Sequence, residues 1–201
     1  MLSSPDQANT LKSQIEILEK DLSSDELKIN PHHDLPFAIF RYDPEQEFML
    51  RKEVKLLSIR LESKGKNVHV ISLADLFFES VEKEGGKEQI TKVEKELGFN
   101  SAQETLNTYF TEKDFSPIPD LLENRIKTMN KEKDIVFLIR AGIFSPDSYK
   151  ISVLLDAMHG RTLVPIVLFY PGKIDSNLGL RFMGLPGRHS VGSYHVKIYN
   201  R

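Results

Sequence analysis

Five basic or aromatic side chains stand where predicted β-strands end. They are Arg41, Tyr42, Arg140, Tyr170 and Lys173. Because parallel strands present their carboxyl ends at one edge of a sheet, these side chains are predicted to share one rim. Such a rim suits acidic loops of a partner protein or phosphate groups. The alternative is that Arg41 and Arg140 pair internally, as buried arginines commonly do. Their possible partners are Asp43, Asp75 and Asp147.

The C-terminal segment is basic, although the whole chain carries a formal net charge of −2. Residues 173 to 201 include five Lys or Arg and a single acid, Asp175. Within this segment Arg181 and Phe182 stand beside Met183 and Leu185, which combines a cation with apolar anchors suited to a protein interface. Nucleic-acid contact is the alternative, but so few charges would bind phosphate weakly. We predict a partner-binding surface that includes Arg181, Phe182 and the rim.

Templates for catalysis and cofactor binding fail along the chain. Gly-Lys pairs begin at Gly65, Gly86 and Gly172, but none has the upstream glycine or the following Ser or Thr of a phosphate loop. The Gly-x-Gly-x-x-Gly fingerprint of dinucleotide-binding folds is absent, and so is the Gly-x-Ser-x-Gly elbow of hydrolases. The sequence therefore predicts no catalytic residue, no cofactor and no enzymatic activity.

Metal binding has one candidate cluster, His32-His33-Asp34. Adjacent side chains rarely converge on one ion, so the segment is interpreted as a linker. Asp43 and Asp75 could form a carboxylate pair above the sheet and, with His32, support a metal-dependent hydrolase. Helix capping is favoured for both aspartates, since aspartate is a preferred cap. We predict no metal site, and we interpret His69 and His195 as ordinary strand residues.

Length and composition predict a single α/β domain over residues 1–201, with 40% hydrophobic residues to fill one core. Cysteine is absent, which excludes disulfides, thiolate metal sites and a cysteine nucleophile. The first residues lack the basic and apolar regions of a signal peptide. No apolar run approaches the ~20 residues that span a bilayer. We expect a soluble, cytoplasmic protein with no membrane partner.

Periodicity predicts alternating helices and strands. A helical segment occupies residues 1–30, and a helical insertion of charged character covers about 85–130. A helix after Pro44 carries Leu50, Val54, Leu57 and Leu61 on one face. Another is predicted to begin at Ser145-Pro146-Asp147. The predicted strands cover residues 37–42, 67–73, 134–140, 163–173 and 194–199.

The strand at 163–173 is an apolar run that is predicted to stop at the turn signal Pro171-Gly172. The first two strands, joined by a helix, are predicted to form a parallel β-α-β pair. The alternation as a whole predicts a three-layer α/β fold with a mainly parallel sheet of about five strands.

Four strand-edge blocks, in this order and spacing, resemble one protein family. The four blocks are Pro36-Phe-Ala-Ile-Phe-Arg-Tyr-Asp-Pro44, Val70-Ile-Ser-Leu-Ala-Asp-Leu76, Ile135-Val-Phe-Leu-Ile-Arg-Ala-Gly142 and Val164-Pro-Ile-Val-Leu-Phe-Tyr-Pro-Gly172. The chain resembles the BrxB (DUF1788) family, the small component of bacterial BREX phage-defence systems, over residues of about 36–199. The block Leu180-Arg-Phe-Met-Gly184 also fits the family pattern.

The resemblance implies a cytoplasmic protein needed for phage resistance, without an assigned catalytic activity. It also implies other BREX proteins as partners, in particular the PglZ component, which resembles alkaline phosphatases. The leading hypothesis is therefore a non-catalytic adaptor that docks a larger BREX protein. A nucleic-acid-contacting subunit and a cryptic metal-dependent hydrolase are the alternatives.

Overall fold

A computed structural model describes residues 4–24, 36–174, 179–185 and 196–200. Their chain contacts divide into two compact units. The first comprises Met1–Val70, Asn130–Ile139 and Leu163–Arg201, and the second comprises Ile71–Met129 and Arg140–Thr162. The predicted α/β class with a mainly parallel sheet is confirmed. No helix in the described ranges combines the length and apolar character needed to cross a bilayer.

In the part of the chain that the structure describes, the sheet contains six strands. They are β1 (Phe37–Tyr42), β2 (Asn67–Ser72), β3 (Asp134–Ile139), β4 (Ile166–Ile174), β5 (Leu180–Phe182) and β6 (Lys197–Tyr199). The order is β2-β3-β4-β1-β6, and β5 pairs with the end of β4. β4 is parallel to both β1 and β3, and β6 is parallel to β1, whereas β5 is antiparallel to β4. The prediction that β1 and β2 pair is wrong, because β4 and β3 lie between them.

Two helices cover one face of the sheet in the first unit, α1 (Ser4–Leu22) and α2 (Glu47–Glu62). Both were predicted from helical spacing, and their apolar stripes are buried in one core. The stripes consist of Leu11, Ile15, Leu18 and Leu22 from α1, and Leu50, Val54, Leu57 and Leu61 from α2. A short 3-10 turn, Pro44–Gln46, precedes α2 and places Pro44 at its first position, where a missing N–H does no harm.

An aromatic ladder fills the centre of this core. Phe169 of β4 lies opposite Phe40 of β1 in the parallel register, and their ring centroids are 5.4 Å apart. Phe137 of β3 meets Phe169 edge-on, also at 5.4 Å. All three side chains are buried. The ladder therefore joins three neighbouring strands through side-chain packing as well as through backbone hydrogen bonds.

The second unit is mainly helical. Its helices are α3 (Leu73–Lys83), α4 (Gly86–Leu97), α5 (Phe99–Thr111), α6 (Ile118–Ile126) and α7 (Ile151–Met158). α3 and α4 are separated at Gly85-Gly86, and both glycines have a positive φ that other residues rarely adopt. An aromatic cluster forms its core, and the ring centroids of contacting pairs are 4.9 to 6.2 Å apart. Its members are Phe77 of α3, Phe110 of α5, and Phe144 and Tyr149 from the segment before α7.

The helix predicted to begin at Ser145-Pro146 begins later, with Lys150 at its N-cap and Ile151 as its first residue. Residues 141–144 form a 3-10 turn instead, and Ser145 follows that turn rather than capping a helix. The side chains of Phe144 and Tyr149 pack against each other at 5.1 Å. Burying both rings constrains the intervening backbone to a turn, so the helix starts only after Tyr149.

The strand β4 does not stop at Pro171-Gly172. Pro171 still pairs with Tyr42 in the β1–β4 register, and Gly172 pairs with Phe182 of β5. A Cβ built on Gly172 would lie 2.6 Å from Cε1 of Tyr170 and 2.7 Å from the carbonyl oxygen of Arg181. The glycine therefore permits the close approach of β5 instead of terminating the strand. The short strand β5 is not among the five strands that periodicity predicted.

Candidate functional site

The structure brings six of the seven predicted partner-binding residues to one region of the first unit. Arg41 lies opposite Tyr170 in the β1–β4 register, next to Tyr42. Lys173 lies opposite Arg181 in the β4–β5 register. The ring of Phe182 packs against that of Tyr170, with centroids 5.5 Å apart. The parallel pairing of β1 with β4 brings Arg41, Tyr42 and Tyr170 together, whereas the antiparallel pairing of β5 with β4 adds Arg181 and Phe182. Each side chain has its own environment.

Arg41 is engaged internally, as the alternative interpretation proposed. Its Nη1 donates to Oδ1 of Asp43 at 2.8 Å, and its Nε donates to the carbonyl oxygen of Asn200 at 3.0 Å. The Asn200 amide in turn donates to the carbonyl of Arg41 at 2.9 Å. The Arg41 side chain is only 13% exposed. These bonds hold the end of β6 against β1. Because its donors are used within the chain, Arg41 needs no partner protein to account for its position.

Tyr42 and Tyr170 are buried and do not reach the surface as a recognition pair. The Tyr42 hydroxyl donates to Oε2 of Glu47, whose Oε1 accepts from Nε of Arg51 at 2.9 Å. Burial, reinforced by the Glu47 carboxylate, raises the pKa of Tyr42. Burial alone raises the pKa of Tyr170. Both phenols therefore stay protonated at neutral pH, and Tyr170 supports Phe182 from within.

Lys173 forms an exposed ion pair. Its Nζ donates to Oε1 of Glu45 at 3.2 Å. Its stem passes over Gly184, where a built Cβ would lie 3.2 Å from Cδ of Lys173. An exposed pair of this kind contributes only about 0–1 kcal/mol to stability. Its consequence here is electrostatic, since Glu45 neutralises Lys173 at the surface.

Residues 181–185, which we call the β5 tip, carry the remaining cation of this region. Arg181 is partly exposed and has no ion-pair or hydrogen-bond partner for its guanidinium among the described residues. Two consecutive backbone hydrogen bonds close the tip, from Gly184 N–H to Arg181 O and from Leu185 N–H to Phe182 O, both 3.1 Å. Met183 and Gly184 between them have φ values of 51° and 68°. The tight turn holds Arg181 and Phe182 in fixed positions.

Acids in the β1–α2 connection and at the start of α2 account for this selective neutralisation. Asp43, Glu45 and Glu47 contact Arg41, Lys173 and Arg51 respectively. The expected cationic rim is thus largely neutral in the first unit. The sequence already offered Asp43 as a partner for Arg41, whereas the pairing of Lys173 with Glu45, 128 residues away, is visible only in the folded chain. Arg181 is the cation of the predicted set that this arrangement leaves available.

Arg140 belongs to the second unit. Its backbone has φ 61°, and this left-handed conformation ends β3 one residue earlier than predicted. Nη1 lies 3.5 Å from Oδ1 of Asp75 and 3.4 Å from Oγ of Ser72. Ser72 also accepts from the N–H of Asp75, which makes Ser72 the N-cap of α3. Arg140 therefore makes only long, weak contacts with its local partners, Asp75 and Ser72.

The expectation that Asp43 and Asp75 act as helix caps is wrong. Asp43 occupies an N-cap position, but its carboxylate accepts from Arg41 and makes no capping hydrogen bond. Asp75 lies in the first turn of α3, after the Ser72 cap. Within the described ranges, no three His, Asp or Glu side chains gather as a metal site would require. The segment His32-His33-Asp34 and residues Asp175 and His195 lie outside those ranges.

A polar cluster at the other end of the sheet was missed by the sequence reasoning. The Asp134 carboxylate accepts from Nδ2 of Asn67 at 2.8 Å and from the N–H of Asn130 at 2.5 Å. Nε2 of His69 lies 3.2 Å from the same carboxylate. Asn67 and Asp134 are the first residues of β2 and β3. A polar residue at the start of each strand was the sequence signal from which their contact could have been predicted. The cluster joins β2 to β3.

Acidification is expected to weaken this cluster. Burial by itself would raise the pKa of Asp134, but the Asn130 N–H, the Asn67 amide and His69 together lower it. A carboxyl whose folded pKa is depressed stabilises the fold above its unfolded pKa of about 3.9 and loses that contribution as pH falls through the folded value. We expect Asp134→Asn to lower the free energy of unfolding by about 1–2 kcal/mol at pH 7.

Urea titrations of wild type and Asp134→Asn from pH 7 to acid would check this prediction. The stability difference between them should shrink as pH falls below about 4. The exposed Asp114→Asn serves as the matched control and should show little difference at any pH. A wild-type-to-variant difference that stays constant over the acid range would contradict the assignment.

Comparison with known proteins identifies the family to which this chain is similar. The sequence model of the family "BREX protein BrxB" matches residues 69–194, well over half of the chain, including most of β2 and all of β3, β4 and the β5 tip. A BREX protein BrxB of Bacillus cereus is 25% identical over 148 residues, which cover 71% of this chain and 73% of the relative. The search of solved structures finds no significant match.

Proposed function

Because this chain belongs to the BrxB family of BREX proteins, we propose that it acts in a BREX phage-defence system as a non-catalytic interaction module. Its β5 tip docks a larger component of the system. The partner that we propose is the PglZ type, which resembles alkaline phosphatases. The relative's name supports the defence role, and the geometry of the tip supports the choice of docking surface.

The observation that carries the docking surface is the pairing of Arg181 with Phe182. Arg181 has no partner for its guanidinium within the described ranges, whereas Arg41 and Lys173 are neutralised by Asp43 and Glu45. Arginine and aromatic residues provide much of the binding energy at protein interfaces. A planar guanidinium can also take a carboxylate with two parallel hydrogen bonds. The tip therefore fits an acidic, partly apolar pocket.

Rigidity of the tip favours binding. Tyr170 is buried and supports the Phe182 ring, while Met183 N–H donates to the Pro171 carbonyl at 2.9 Å. Ordering a loop on binding opposes association, because immobilising each side chain costs about 0.5–1.5 kcal/mol. A tip that is already ordered by backbone hydrogen bonds and by the Tyr170 ring avoids part of that loss. Gly172 makes this arrangement possible by letting β5 lie against β4.

Reversing the charge of Arg181 is expected to disrupt docking. Loss of a central arginine contact costs about 2 kcal/mol or more, so Arg181→Glu should weaken binding at least roughly thirtyfold. Phe182→Ala should weaken it by a similar factor. Binding of the purified PglZ-type component to immobilised protein, measured by biolayer interferometry, gives the affinities directly.

Matched controls come from exposed residues of the same unit. Lys131→Glu reverses an exposed charge elsewhere, and Phe48→Ala removes a phenylalanine that is 76% exposed. Both should bind like wild type. Unchanged affinity in Arg181→Glu and Phe182→Ala would remove the tip as the docking surface. Failure of wild type to bind would remove the PglZ-type partner while leaving family membership untouched.

Nucleic-acid contact is a second candidate with less support from the described residues. Lys173 and Lys197 of the basic C-terminal segment are paired with Glu45 and Asp21. Phosphate binding would have to compete with both acids. A mobility-shift titration at low and moderate salt separates the candidates, since phosphate contacts produce a steep loss of affinity with salt. A salt-sensitive shift that Arg181→Glu abolishes would favour nucleic acid as the partner.

A further inference from the structure

One edge of the sheet is unprotected in the described residues. β2 is the first strand in the order β2-β3-β4-β1-β6, so β3 is its only strand neighbour there. Natural sheets usually protect such edges with lysine, proline, bulges or very short strands. β2 has six residues, Asn-Val-His-Val-Ile-Ser, and none of these devices lies within it. The opposite edge strand, β6, has three residues and begins with Lys197.

The direction of the backbone groups on this edge can be assigned. The N–H of Asn67 donates to the carbonyl of Lys133 at 2.8 Å, on the β3 side. Because N–H and C=O directions alternate along a strand, Val68, Val70 and Ser72 direct theirs away from β3. Neither Val68 nor Val70 forms a backbone hydrogen bond outside regular elements in the described ranges. Their groups are available to another strand.

One face of this edge carries two apolar side chains, Val68 and Val70. Val70 is 47% exposed, and Val68, two residues earlier, lies on the same face and is half-buried. An exposed valine on an open edge favours pairing with another strand, because cross-strand pairs of β-branched residues stabilise sheets. The edge therefore offers both hydrogen bonds and apolar contact.

We propose that β2 pairs with β2 of a second copy of this chain, antiparallel, about a two-fold axis at His69. In this register Val68 of each copy lies opposite Val70 of the other, and both belong to the outward-directed set. These two symmetric pairs are of the hydrogen-bonded kind, and the central His69 pair is of the non-hydrogen-bonded kind. A register centred on Val70 would place Val70 opposite its own symmetry mate but Val68 opposite Ser72, which leaves one apolar pair instead of two.

The ends of β2 favour a second copy in this orientation. Lys66 directly precedes the strand, and Asp75 follows it by three residues. Among the described residues, the Asp75 side chain is 64% exposed and has only a long contact of 3.5 Å with Nη1 of Arg140. An antiparallel two-fold arrangement sets the basic end of one copy beside the acidic end of the other, twice, whereas a parallel arrangement would set like charges together. The net charge of −2 gives little general repulsion between copies. The edge is thus complementary to itself.

Pairing of two six-residue strands buries less surface than the ~1,200–2,000 Å² of a standard stable interface. The dimer should therefore be a concentration-dependent equilibrium. Sedimentation velocity of the wild-type protein over a concentration series should show the sedimentation coefficient rise towards that of a dimer. A wild-type protein that stays monomeric at the highest soluble concentration overturns the proposal.

Val70→Lys is expected to abolish the dimer, because it places charge on the edge in the way that natural edges are protected. Val153→Lys is the matched control: Val153 is 38% exposed on α7, and its replacement should leave dimerisation unchanged. Circular dichroism melts of both variants establish that each is folded. Equal dimerisation of Val70→Lys and wild type would rule out this edge.

Oxidative cross-linking tests the register without relying on loss of binding. The chain has no cysteine, so His69→Cys introduces a single thiol per copy. Directly opposed residues of a non-hydrogen-bonded pair have Cα atoms about 4.5 Å apart, within the range of a disulfide. His69→Cys should therefore form a disulfide dimer rapidly. Val70→Cys, displaced from its own symmetry mate, should do so slowly, and the reverse order would contradict the His69 axis.

Discussion

Phe169→Ala is expected to lower the free energy of unfolding by about 4 kcal/mol, the range for truncating a fully buried phenylalanine. The Phe169 side chain has no solvent exposure and contacts the rings of Phe40 and Phe137 on the two neighbouring strands. Its removal would leave a cavity at the centre of the sheet, and the surrounding strands can collapse only partly. Urea denaturation of the purified variant measures the loss.

The exposed Phe48 provides the comparison for this experiment. Phe48→Ala removes the same atoms from a side chain that is 76% exposed, so its effect should stay within about 0.5 kcal/mol. A loss of less than about 1.5 kcal/mol in Phe169→Ala would mean that the aromatic ladder does not form the centre of the core.

Gly172→Ala is expected to lower stability by about 2–3 kcal/mol and to displace β5. The new Cβ would lie 2.6 Å from Tyr170 Cε1 and 2.7 Å from the Arg181 carbonyl oxygen. The first obstacle is a buried ring and the second is backbone, so neither can move aside freely. Because Arg181 and Phe182 depend on β5 for their positions, partner binding should weaken together with stability.

Gly65→Ala separates crowding from backbone strain. Gly65 has φ 82° and nothing within 4 Å of a built Cβ, so alanine there meets strain alone, about 1–2 kcal/mol. It lies away from the β5 tip in the chain and should leave partner binding unchanged. If Gly172→Ala unfolds at the same urea concentration as wild type, the close approach of β5 to β4 is refuted. Amide hydrogen exchange in residues 180–182 reports the displacement of β5 directly.

The amino-acid sequence by itself determined the elements whose signals are local. Helical spacing of Leu11, Ile15 and Leu18 fixed α1, and a continuous apolar run identified β4, because both patterns reflect burial along one element. The order of strand-edge blocks also indicated the BrxB family, which the match over residues 69–194 confirms.

Only the tertiary structure decided which side chains are available at the surface. For Arg41 the sequence left recognition and pairing with Asp43 open, and the structure shows the pair. Lys173 was predicted as a recognition residue, yet Glu45 of the β1–α2 connection pairs with it. Gly172 had the local signature of a turn, and its actual role depends on the Arg181 backbone, nine residues away. The position of a chain segment against a distant one is set by packing and hydrogen bonding across the sheet. Local periodicity carries no information about those contacts, so the available cation, Arg181, and the open edge of β2 became visible only in the folded chain.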